Sequence, residues 1–206
     1  MTTRLTLLRH GLPEQADRLL GRTDPVLTTT GWQQLRESVS EMAFDAIESS
    51  PRQRCCQFAG QLAQQRKLPI RIDDAWAELD FGQWDGVLLS ELWRLPGFIA
   101  YQDEPFDHTP PAGESMAHLR QRVLTAMERI ALTHPNQHLL VVTHSGVIRA
   151  LLGWLLGQHQ GNAHLRRVRL DHAAQLSLEL YLDEHHTLWP RLYGLIPGPG
   201  TKEMSQ

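Results

Sequence analysis

The chain of 206 residues sets 20 Lys+Arg against 23 Asp+Glu for a formal charge of −3, and 41% of it is apolar. That length can bury a sizeable core, and the composition excludes a disordered or fibrous polypeptide. Near-neutral charge argues against a nucleic-acid partner held by bulk attraction to phosphates. Only Lys67 and Lys202 are lysines, so the other cations are arginines. Arginine is the better fork for phosphate or carboxylate, although codon usage would produce the same excess.

The opening MTTRLTLLRHG lacks the charged start, apolar run and cleavage site of a signal peptide. The most apolar stretch, residues 139–157, contains His144, Ser145 and Arg149, which a bilayer interior penalises. These features predict a cytoplasmic protein with no membrane partner. Residues 5–8 predict a buried first strand, and residues 11–28, with Gly11, Pro13, Gly21, Asp24 and Pro25, a loop. A helix begins near Thr30 and buries Trp32, Leu35, Val39 and Met42. Residues 44–48 predict a second strand. SSPRQR then predicts a helix capped by serine with proline in its first turn. Cys55 and Cys56 on that helix are too close for an ordinary disulfide and read as small buried side chains.

Ile70 and Ile72 mark a brief third strand. Residues 76–113 show no simple period and predict a lid or substrate loop with one helix around 88–95. Residues 114–134 are strongly amphipathic, 139–143 a strand and 146–156 a helix. Residues 166–170, 176–182 and 188–192 predict further strands, with His185–His186 as an exposed hairpin turn. Strands alternating with helices predict an α/β fold: one domain over residues 1–206, a three-layer α/β/α sandwich with a mostly parallel central sheet and residues 76–113 inserted as a lid.

In such sheets, ligands sit beyond the carboxyl ends of the strands. LTLLRHG delivers Arg9 and His10 there, LLVVTHSG delivers His144, and DAIESS leads into a helix carrying Arg52 and Arg54. An arginine in a first helical turn opposes the helix dipole, a misfit that an anionic ligand would resolve. Helix starts after Ser50 and Ser145 add amide donors. Taken singly, each histidine reads as a polar residue at a loop; the shared placement implies anion handling by imidazole and guanidinium. The other nine histidines, His172 among them, show no metal-ligand spacing and read as loop or surface residues. HLRRVRL places Arg167 and Arg169 on one solvated strand face.

LLRHG, SSPRQR, AELDFGQWDG, PPAGES and VVTHSGVIRA occur in the order and approximate spacing of the histidine phosphatase superfamily, and the chain resembles its phosphoglycerate-mutase-like branch over residues 4 to about 155. The resemblance implies that His10 is the nucleophile that becomes phosphorylated, that Arg9 and Arg54 bind phosphoryl oxygens with His144 joining them, and that Glu78 is the proton donor. It implies a small phosphate monoester as partner and no metal or other cofactor. Phosphoryl transfer asks mainly for positioning and charge stabilisation, which two arginines supply. Glu78 would protonate the leaving alkoxide and then draw a proton from the attacking water. Pro13 and Ala16 depart from the usual pattern, as do Arg52 in SSPRQR and the HSG at 144–146. No RRSFD-like segment occurs in residues 95–113, which favours a phosphatase over a mutase. Within the phosphatases, the short loop after RHG and the tryptophan-bearing insert resemble α-ribazole phosphatase. Trp76, Trp84, Trp93 and Phe98 either offer a surface for a flat heteroaromatic or pack the insert's own core. Weighed beside this are a broad-specificity sugar- or nucleoside-phosphate phosphatase and a non-catalytic phospho-ligand module.

Overall fold

In a computed structural model, residues 2–157, 168–185 and 187–200 are described. Six strands, β1 (Thr2–Arg9), β2 (Ala46–Ser49), β3 (Ile70–Ile72), β4 (His138–Thr143), β5 (Gln175–Leu182) and β6 (Leu188–Ile196), form one sheet in the order β3-β2-β4-β1-β5-β6. The pairings β3–β2, β2–β4 and β4–β1 are parallel; β1–β5 and β5–β6 are antiparallel. Helices α1 (Thr29–Val39) and α2 (Gln53–Arg66) cover one face, and α5 (Met116–Thr133) and α6 (Ser145–Leu155) the other. Two short helices, α3 (Leu89–Leu92) and α4 (Pro96–Asp103), lie in the segment between β3 and α5.

The layering follows from the strands' composition. β4 reads HLLVVT, apolar at consecutive positions, as a strand covered on both faces requires. Leu139 and Val141 join the core under α5 and α6, while Leu140 and Val142 join the one under α1 and α2. β1 divides likewise, Leu5 and Leu7 to one side and Leu8 to the other, all with no exposed surface. In α5, Met116, Leu119, Val123, Met127 and Ile130 form the buried stripe expected from their spacing.

Several boundaries differ from the sequence expectation. The second strand starts at Ala46, not Phe44. α2 is capped by Arg52 without a side-chain hydrogen bond, so Ser50 and Pro51 precede the helix. The Ser50 hydroxyl is instead 2.7 Å from His144 and accepts from the Arg52 amide. Of the helix expected around 88–95, only Leu89–Leu92 form α3; α4 lies beyond it and opens at Pro96, in the first-turn position where proline is tolerated. Of the strand expected over 166–170, Arg166 and Arg167 lie outside the described residues, and Val168–Leu170 are irregular. His185 sits in the exposed β5–β6 turn; His186 is outside the described residues. Cys55 is buried, but Cys56 is half-buried. Among the described residues, no helix is long and apolar enough to cross a membrane.

Candidate active site

Because β1, β2 and β4 run parallel, their carboxyl ends meet at one edge. Arg9 is opposite Thr143, and Ser49 opposite Val142. The next residue of each strand, His10, Ser50 and His144, therefore emerges at the same place. The His10 and Ser50 amides still donate to β4, to the carbonyls of Thr143 and Val142. After His10 the chain passes directly against α1: a Cβ on Gly11 would lie 2.1 Å from the Gly31 carbonyl oxygen, so this turn admits only glycine.

His10 is 5% exposed, and its ring is 5.2 Å from that of His144. Its Nδ1 is 2.8 Å from the Gly11 carbonyl. A carbonyl can only accept, so Nδ1 carries the proton and the Nε2 lone pair is available. Burial, reinforced by Arg9 and Arg54, holds the imidazole's pKa well below the usual 6.5. The imidazole expected from the resemblance to be the nucleophile is thus neutral. His144 is fully buried, its Nε2 shared between the Ser50 hydroxyl and, at 3.5 Å, the Cys55 thiol. Its Nδ1 is buried without a partner, and burial likewise lowers its pKa.

The two arginines are held differently. Arg54 has no exposed surface and donates to the carbonyls of Leu20, Gly21 and Thr23 and, at 3.2 Å, to Asp24. Asp85 fastens the same loop, accepting from the amides of Gly21, Arg22 and Thr23 and from the Thr23 hydroxyl at 2.6–2.8 Å. Arg9 donates to the Leu170 carbonyl and approaches His172. Burial lowers its pKa to about 10, still far above neutrality. The Nε atoms of both arginines are buried without partners, as is that of half-buried Arg52.

Glu78 arrives on the segment after β3, which is anchored at several points. Trp76 Nε1 donates to Glu48 at 2.6 Å, and Glu48 also receives a bidentate bond from Arg129 on α5. The Thr143 hydroxyl donates to the Trp76 carbonyl. Arg122 is bonded in bidentate fashion to Glu114 and donates to the carbonyls of Asp74, Ala75 and Glu78. The Glu78 carboxylate, 7% exposed, accepts from the amides of Leu79 and Gly146, the latter in the first turn of α6.

Arg9, His10, Glu78, Ser145 and His172 line a cavity of about 190 Å³. It adjoins a cavity of about 570 Å³ through the shared walls Leu19, Glu78, Phe81 and Ser145. His144 and Arg54 form the buried layer behind His10. All five residues singled out from the sequence thus converge, three on the cavity and two behind it. The sequence reading missed Ser50, Asp85 and Arg122, whose roles depend on partners distant in the chain, and it dismissed His172. Of the four aromatics considered as a ligand surface, Trp76, Trp84 and Phe98 are core residues; only Trp93, 48% exposed, lines the larger cavity. Among the described residues no cluster of three or more His, Cys, Asp or Glu could hold a metal ion.

The chain is 35% identical over 188 residues to the bifunctional protein Rv2228c of Mycobacterium tuberculosis, covering 88% of this chain but 51%, about half, of that protein. It is 33% identical to phosphoserine phosphatase 1 of Hydrogenobacter thermophilus (75% of this chain, 76% of that one) and 29% identical to the adenosylcobalamin/alpha-ribazole phosphatase of Escherichia coli (75% and 79%). The solved mycobacterial glucosyl-3-phosphoglycerate phosphatase Rv2419c shares the fold, with a TM-score of 0.81 at 22% identity over 95% of this chain and 99% of that one. Residues 5–189 match the family model, and the chain belongs to the histidine phosphatase superfamily, branch 1.

Proposed function

We propose that this protein is a phosphomonoesterase that works through a phosphohistidine on His10. The observation that carries this reading is the bond from His10 Nδ1 to the Gly11 carbonyl, which aims a neutral Nε2 lone pair from a site flanked by Arg9 and Arg54. In the first step Nε2 bonds to phosphorus, the ester P–O bond breaks, and protonated Glu78 gives its proton to the leaving oxygen. In the second, water gives a proton to Glu78 and attacks phosphorus, and the P–N bond breaks to release phosphate and neutral His10. With the Ser50 hydroxyl donating to Nε2, the ring proton of His144 sits on its buried, unpartnered Nδ1, which is suited to donate to a phosphoryl oxygen. Arg9 and Arg54 balance the charge of the transferring group.

The larger cavity suits a small phosphorylated metabolite with a flat, largely apolar body, and residues 76–113 serve as the substrate-facing lid. Phe81, Trp93, Tyr101 and Met116 supply apolar walls, with Gln102 and Arg149 as polar groups. These features support α-ribazole 5′-phosphate, an intermediate of cobalamin nucleotide-loop assembly, as the substrate. So does the similarity to the Escherichia coli enzyme. Few directional groups line the cavity, which favours broad action on sugar and nucleoside phosphates as the second reading.

Rapid quench with labelled substrate tests the chemistry. An acid-labile, base-stable phosphoenzyme forms in wild type and is absent from His10→Ala; label retained in that variant refutes the nucleophile. A kcat/KM panel of α-ribazole phosphate, 3-phosphoglycerate, phosphoserine and simple nucleotides tests the substrate. Values within about tenfold of one another would remove the specific assignment and leave the phosphatase.

A further inference from the structure

His172 is a third imidazole in the catalytic pocket, its ring 5.7 Å from that of His10, in the segment leading into β5. Its Nε2 is 3.2 Å from Arg9 Nη2, while Arg9 Nη1 donates to the Leu170 carbonyl at 2.5 Å. A guanidinium has no acceptor, so Nε2 must accept and His172 must be neutral. The surrounding backbone is fitted to the same pair of residues. The Ala173 amide donates to the His10 carbonyl, and the Arg9 amide to the Ala174 carbonyl. Ala173 adopts φ +60°, a left-handed conformation costly for a residue with a side chain. On the far side, Gly198 passes so close that a Cβ there would overlap the His172 carbonyl.

We propose that His172 is a positioning residue of the phosphoryl site: a neutral acceptor that fixes the Arg9 guanidinium beside His10 while leaving its positive charge to the transferring group. The inference deepens the phosphohistidine reading and rests on it. A carboxylate at this position would hold the arginine more firmly but cancel much of the charge that the phosphoryl oxygens need. Burial and the proximity of Arg9 lower the His172 pKa to about 3, so the acceptor persists through the physiological range.

Four variants separate positioning from packing: His172→Gln, which carries an amide oxygen; His172→Phe, which fills the space without an acceptor; His172→Glu, a charged acceptor; and His172→Ala. Each is assayed for kcat/KM on nitrophenyl phosphate, for inhibition by orthophosphate, for phosphoenzyme formation and for melting temperature. The Phe and Ala variants should lose about 10- to 100-fold in kcat/KM, and Gln should recover to within about threefold of wild type. The Glu variant should bind orthophosphate at least about tenfold more weakly than the Gln variant. Phe matching Gln would reduce the role to packing, and Glu matching Gln would show that neutrality is irrelevant; either result overturns the proposal. Should Phe or Ala fail to fold, the Gln–Glu comparison alone decides. Absence of phosphoenzyme in wild type would refute the underlying chemistry. Its presence, with all variants alike, would refute only the role of His172.

Discussion

Gly146→Ala sets local stability against catalysis. A Cβ built on Gly146 lies 2.1 Å from Glu78 Oε1 and 3.1 Å from its Cδ, whereas ordinary contacts begin near 3.4 Å. Backbone φ at this position is unremarkable, and alanine is the better helix former by ~1 kcal/mol in a helix interior, less in a first turn. The obstructing atom is the end of a side chain, so the carboxylate moves and the helix stays. Relief requires a shift of roughly 1 Å, which breaks the bond to the Gly146 amide and takes the proposed proton donor off its line to the leaving oxygen; misplacement on this scale costs about 100-fold. That is ~2.7 kcal/mol of transition-state stabilisation. The assay compares an alkyl phosphate, whose leaving group needs the proton, with nitrophenyl phosphate, whose leaving group does not. We expect about a 100-fold loss in kcat/KM for the alkyl ester, less than about tenfold for the nitrophenyl ester, and an unchanged or slightly raised melting temperature. Equal losses on both esters, or full activity on both, would refute the reasoning.

Other consequences follow from groups already described. Glu78→Gln should show the same leaving-group split as Gly146→Ala, because it removes the proton itself; equal losses on the two esters would rule out a proton-donor role. Asp85→Ala leaves three loop amides without their acceptor, so we expect about 2 kcal/mol of lost stability in urea melts and about tenfold weaker orthophosphate inhibition as Arg54 loses its seat. Unchanged inhibition would mean that Arg54 is held without the loop. His172 contributes to the acid response with a definite sign, its folded pKa of about 3 lying below the unfolded value of 6.5. Between those values the unfolded chain binds the extra proton, so stability falls as pH falls through 6.5, by about 2 kcal/mol from this residue at pH 5. His172→Gln should therefore be less acid-sensitive than wild type when urea melts at pH 8 and pH 5 are compared; equal loss in both proteins would contradict this.

How far the sequence could be read depended on whether a residue's meaning was local. The doubly covered strands were legible because LLRHG and LLVVTHSG carry their apolar runs and their terminal histidines together. His10, Arg9 and His144 followed directly from position at strand ends. Glu78 was found by motif, but what holds it, Trp76 on Glu48 and Arg122 on three carbonyls, joins residues 28 to 48 positions apart and leaves no periodic trace. Ser50 was misread as a helix cap because a serine before proline and a basic run is the usual signal; a buried imidazole claimed the hydroxyl first. His172 was set aside because neighbouring residues say nothing about a partner 163 positions away. In the 76–113 segment, the aromatic content suggested a ligand surface, yet Trp84, Phe98 and Tyr101 stack on one another with ring separations of 5.5–6.4 Å and build a local core.

Asp85, within that segment, fastens the loop that seats Arg54, and Arg122 on α5 fastens the strap that bears Glu78. α3, α4 and the exposed Trp93 help to shape the larger cavity and make none of the hydrogen bonds that hold Arg54 or Glu78. Their length and composition can therefore vary without disturbing the bonds that hold His10, Arg54 and Glu78. Substrate range can thus change within this one stretch while the residues of the proposed chemistry stay in place.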